Sequence, residues 1–140
     1  MAEILRFDQN DTQISLALNG DENKIIKFDP GDVNFRKKFF ALKDELIKKQ
    51  QELDSKIKKI DMNSDKAVEK VLTLEENFFD YLAGVIDNLF KEGTVMMVTD
   101  NRKNTFVLAN FIIALVPYFD RFNKVNKEKY ANKLKDAGVL

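Results

Sequence analysis

Glu76, Asp80 and Asp87 fall at i, i+4 and i+11, which sets three carboxylates along one face of a helix. Such a row can hold a hard cation, because calcium and magnesium take oxygen ligands. The plainer reading is a solvated face opposite the apolar stripe Phe79, Leu82 and Ile86, since no segment has the spacing of a calcium loop. Carboxylates are the acid–base groups the chain holds in number. It has no histidine and no cysteine, which removes the commonest general base, thiolate chemistry and disulfides. Ser15, Ser55 and Ser64 sit in no strained elbow and have no histidine to activate them. The five glycines never cluster, so no phosphate-cradling loop exists. Gly20, Gly31 and Gly93 suit turns or helix ends, and Gly84 inside a helix suggests close helix packing. No catalytic residue, metal ligand or cofactor site is expected, and the chain is read as a non-enzyme.

Binding is then the remaining activity. Lys48, Lys49, Lys56, Lys58 and Lys59 crowd one helix, but Glu45, Glu52 and Asp54 interleave with them. Mixed signs mark a solvated surface, and nucleic acid calls for a basic stripe without counter-charges. The whole chain is balanced at 23 basic and 23 acidic residues, so it has no general pull toward phosphate or anionic lipid. Neither nucleic acid nor membrane is expected as a partner. The opening residues Met1-Ala2-Glu3-Ile4-Leu5-Arg6 lack the pattern of a signal peptide, and the expected location is the cytoplasm. Thr105 to Phe119 is apolar but interrupted by Asn110 and Pro117 and closed by Asp120-Arg121. It falls short of the ~20 residues of a spanning helix, and reads as a helix buried in the middle of the domain.

The elements that carry these residues follow from periodicity. One domain over 1–140 is expected, with a β-hairpin region at 1–29, a helical region at 32–134 and a frayed tail at 135–140. Ile4-Leu5-Arg6-Phe7 reads as a short strand. Thr12 to Leu18 alternates, with Ile14, Leu16 and Leu18 on one face. Asn19-Gly20 is a hairpin turn by composition, and Lys24 to Phe28 is the return strand. Asp32 or Asn34 caps the next helix, whose stripe runs Phe35, Phe39, Leu42 and Leu46, broadened by Phe40 and Ile47. Beyond Ile47 the stripe narrows to Leu53, Ile57 and Ile60. That half is expected to project as an arm, its seam covered either by the second helix or by another chain. Leu53, Ile57 and Ile60 are therefore the candidate partner-binding residues. A second helix starts at Ser64-Asp65 and runs to about Lys91. Thr94 to Thr99 suits a helical turn or a strand equally. A third helix starts near Asn104, and Pro117 should kink it. Together these give an α+β, mostly helical fold: a small antiparallel sheet packed beside a bundle of three main helices.

The junction Ile26-Lys27-Phe28-Asp29-Pro30-Gly31-Asp32-Val33-Asn34-Phe35-Arg36-Lys37-Lys38-Phe39-Phe40 resembles one in the tail assembly chaperones of phages and prophages of Gram-positive bacteria. The order of elements is similar throughout, including the stretch Leu89-Phe90-Lys91-Glu92-Gly93-Thr94. This chain has Asp29 where that family's turn has asparagine, and it ends Ala137-Gly138-Val139-Leu140, where a basic run is the rule. The resemblance implies a chaperone that binds the helical tape-measure protein, helps to recruit tail tube protein, and often has a frameshifted longer form; a homo-oligomer is a further partner state that the sequence leaves open. Without it, the reading is a small adaptor or regulator binding a host protein through its helical arm.

Overall fold

The computed structural model describes residues 1–138 and is α+β, mostly helical. Strand β1 spans Ile14–Ala17 and pairs antiparallel with β2, Ile25–Phe28. Ile14 lies opposite Phe28 and Leu16 opposite Ile26, so the period of two puts all four on one face. Ile26 and Phe28 are buried, and Ile14 and Leu16 pack against the same core. Asn19 and Gly20 both take positive φ, at 52° and 81°, as their composition predicts. The connection is nevertheless longer than a two-residue turn. A 3-10 turn at Leu18–Gly20 comes first, and the Leu18 N–H then meets the Lys24 carbonyl at 2.9 Å. Ile4–Phe7 forms no strand. Its residues are exposed, because the turn that starts at Gln9 leads straight into β1 and no edge receives them.

The turn after β2 is tied from both sides. Asp29 Oδ1 accepts from the Thr12 hydroxyl at 2.6 Å and from the Gly31 N–H at 2.8 Å. A side chain at residue 31 would bring its Cβ within 2.4 Å of Thr12 Oγ1, so only glycine fits there. Asp32, not Asn34, then caps helix α1 (Val33–Lys58) by accepting from the N–H groups of Asn34 and Phe35.

Helix α2 covers Ala67–Leu89, α3 Thr94–Thr99 and α4 Thr105–Asp136. Ser64-Asp65 does not start α2. The Ser64 hydroxyl donates to the Asp61 carbonyl at 2.8 Å, and the turn around Asp61 occupies those residues. Thr94–Thr99 is helical, and Asp87 explains the choice. Its carboxylate accepts from the Val95 N–H at 2.8 Å and the Gly93 N–H at 3.3 Å, satisfying free donors at the start of α3. Asn104 caps α4 through the N–H groups of Phe106 and Val107. The helix runs on through Pro117 to Asp136 as one element. It also outlasts the expected end at residue 134, because Asp11 holds its last turns. Asp11 accepts from the Tyr130 hydroxyl, with Lys129 and Lys133 at 3.8 and 3.6 Å. Within the expected frayed tail, Ala137 and Gly138 close the helix, and residues 139–140 lie outside the described part.

The core centres on aromatic rings from three directions. Phe39 of α1 stacks on Phe119 of α4 at 4.4 Å between centroids. Phe28 from the sheet and Phe35 and Phe40 from α1 surround the same ring at 5.6 to 6.1 Å. Leu82 and Ile86 of α2 and Leu108, Ile112 and Leu115 of α4 complete the interior. The apolar part of α4 is not buried all round. By length and composition it could cross a membrane. One of its faces nonetheless forms the core of this chain, while Phe106 and Ile113 on the other are mostly exposed. Ile47, expected to widen the α1 stripe, also faces out. Gly84 marks no close packing, since a Cβ there would meet nothing within 4 Å.

Candidate protein-binding surface

Helices α1 and α2 form a hairpin through the turn at residues 59–66, so the end of α1 lies along the start of α2. The α1 half expected to project as an arm is thereby packed on its neighbour. Leu53 is 8% exposed and belongs to the core. Leu74 and Phe78 of α2 border it. Ile57, one turn on, is half-buried against the same core. Ile60 lies just past the end of α1 and is also half-buried. Leu53 and Ile57 thus share one seam, the second helix takes the Leu53 part of it, and Ile60 lines neither that core nor the groove beside it. On the flank of this seam, the Tyr81 hydroxyl donates to Glu45, and Lys49 stands 5.3 Å from the Tyr81 ring. The carboxylate raises the tyrosine pKa, chiefly through that hydrogen bond.

Beside the seam opens a groove of about 860 Å³, bounded by α1, α2 and the start of α4. Leu53, Ile57 and Phe78 lie at its base, and Val68, Leu72 and Phe106 stand at its walls. Those last three are 66%, 58% and 80% exposed. Their position is a consequence of local structure. Val68 and Leu72 are one turn apart on α2, in the stretch between its first buried residue, Ala67, and the next, Phe78. Phe106 follows the Asn104 cap directly, on the side of α4 away from Leu108, Phe111 and Ile112. Exposed apolar groups in one contiguous place mark interaction surfaces.

Periodicity pointed to the neighbouring seam and missed these walls. The usable signal was excess. Apolar residues surround α2 over more of its circumference than one buried stripe needs, and a phenylalanine sits within the first turn of α4.

The carboxylate row does not behave as a cation site. Lys103, in the loop before α4, places its ammonium 3.1 Å from both Glu76 and Asp80. The lysine pKa is raised, first by the hydrogen bond to Asp80 and then by that to Glu76. Asp87, the third member, is occupied with the start of α3. Among the described residues no group of carboxylates is arranged to hold a metal ion.

No protein-family model, no curated protein and no solved structure matches this chain at a significant level. Chemistry must therefore be argued from the surface itself.

Proposed function

We propose that this chain is a phage tail assembly chaperone, acting in the cytoplasm by binding a tape-measure protein and assisting assembly of the tail tube. The observation that carries this reading is the groove walled by Val68, Leu72 and Phe106 with Ile57 at its base. Grooves of this kind receive the apolar face of an amphipathic helix. A tape-measure protein is a long helical client with such faces repeated along it. The resemblance at the strand-to-helix junction names that client, and the want of histidine and cysteine leaves binding as the activity. Several copies on one client gain avidity without stronger individual contacts.

The test is co-expression with the tape-measure protein encoded beside this chain. The client should be insoluble alone and soluble in a complex with several copies of the chain. The Leu72→Ser/Phe106→Ser variant should fold and yet recover far less client. A client that stays insoluble, while a host protein co-purifies with the chain, overturns the reading in favour of an adaptor.

A further inference from the structure

The groove between α1, α2 and the start of α4 carries charge at its edge, and that charge is not balanced. Four carboxylates, Asp54, Glu69, Glu75 and Glu76, line it against two cations, Arg102 and Lys103. Over the whole chain the two signs are equal, so the surplus belongs to this place. Lys103 is already matched, standing 3.1 Å from both Glu76 and Asp80. Arg102 leans back on α3, where its Nε donates to the Thr99 carbonyl at 3.4 Å. Asp54, Glu69 and Glu75 form no ion pair among the described residues. Each of them borders apolar lining. Glu69 and Glu75 stand three residues before and after Leu72 on α2, and Asp54 stands three before Ile57 on α1, a spacing that makes neighbours on a helix surface. The exposed ring of Phe106 adds an aromatic face, which also attracts cations.

We propose that the groove selects a helix whose apolar stripe is flanked by lysine or arginine, and rejects one flanked by acid. The inference rests on the reading that a helix docks there, and adds the charge that helix must carry. From Val68 to Phe78, α2 lines the groove over about 15 Å at the usual rise per residue. The contact on the occupant is then about three turns long, with apolar anchors at i, i+4 and i+7. Basic side chains suit the flanks, because their methylene stems cover apolar wall while their heads reach the carboxylates. An acidic flank would meet Asp54, Glu69 and Glu75 with like charge and no cation free to answer it but Arg102.

Two synthetic peptides test it, each about 18 residues long so that a helix can form. They share one leucine stripe and differ only in carrying lysine or glutamate beside it. Titration at low salt should show the lysine peptide binding about tenfold tighter, since each exposed ion pair adds only a little. About 0.5 M salt should shrink the preference to about twofold by screening. Glu69→Gln/Glu75→Gln should keep both peptides bound and lose the preference; both positions are exposed, so its melting should be unchanged. Leu72→Ser/Phe106→Ser should lose both peptides. Equal affinity of the unaltered chain for the two peptides overturns the charge selection and leaves helix docking standing. A preference that survives Glu69→Gln/Glu75→Gln overturns it likewise. Failure to bind either peptide overturns helix docking itself, and the selection falls with it.

Discussion

The two ends of the helical bundle use the same kinds of residue to opposite effect. Around Phe119, rings from the sheet, α1 and α4 close on one another, and Phe39 reaches zero exposure. Around Phe106, residues of α1, α2 and α4 line an open groove that leaves Val68, Leu72 and Phe106 uncovered. The sheet makes the difference. At the first end Phe28 and Ile26 pack over the helices as a fourth surface. At the second end no element among the described residues plays that part. Equal hydrophobicity thus becomes stability at one end and an uncovered apolar surface at the other, according to whether a further layer is present.

Truncation is the strongest way to probe the contrast. Phe39→Ala should cost ~3–5 kcal/mol, the usual loss for a buried aromatic, read from denaturant unfolding. Phe106→Ser should change the same measurement by no more than ~0.5 kcal/mol. Similar losses at the two positions would erase the distinction between the ends. Leu53 sits at the border between them. Leu53→Ala should cost about 2–3 kcal/mol, at the low end of the leucine range because the adjacent groove lets the site relax. A negligible loss would return Leu53 to the binding surface and make the seam an arm after all. Asp87→Ala sharpens the comparison from outside both ends. It removes the acceptor for the first donors of α3 and should cost about 1 kcal/mol, as a lost helix cap does, seen as a lowered melting temperature.

The smallest effect concerns acid. The Tyr130 hydroxyl, then Lys129 and Lys133, hold the Asp11 carboxyl below its ordinary 3.8 despite opposing desolvation. A depressed folded pKa means stabilisation that is present above pH ~3.8 and lost as pH falls through the folded value. Protection of the amides in the last turns of α4, taken relative to their intrinsic exchange rate at each pH, should therefore fall in acid, with little change in global stability. In Asp11→Asn protection there should be low at every pH, and an unaltered acid response would show that Asp11 does not hold the helix end.

Much of the fold was legible locally. Alternation at Ile14, Leu16, Ile26 and Phe28 gave the sheet face, and Asp32 and Asn104 marked two helix starts, because strand faces and caps depend on near neighbours. The candidate surface was legible only in part. Leu53 and Ile57 do share a seam, yet whether a seam is covered depends on a distant partner helix. Ser64-Asp65 had the composition of a cap and failed as one because Asp61 engaged the turn first.

By itself, then, the sequence determined the chemistry that is ruled out and the local segments that are ruled in. It denies the chain imidazole and thiol, alternates residues in two strands and repeats apolar groups at helical spacing. Tertiary structure decided which apolar groups are core and which are surface. Val68 and Phe39 are both apolar residues of amphipathic helices, but Phe39 meets the ring of Phe119 and Val68 stands 66% exposed. Tertiary structure also turned the carboxylate row from a candidate cation site into partners for Lys103 and the α3 backbone. The physical reason is common to both outcomes. Burial and charge pairing are properties of what lies across a contact, and spacing along one helix describes only the near side of it.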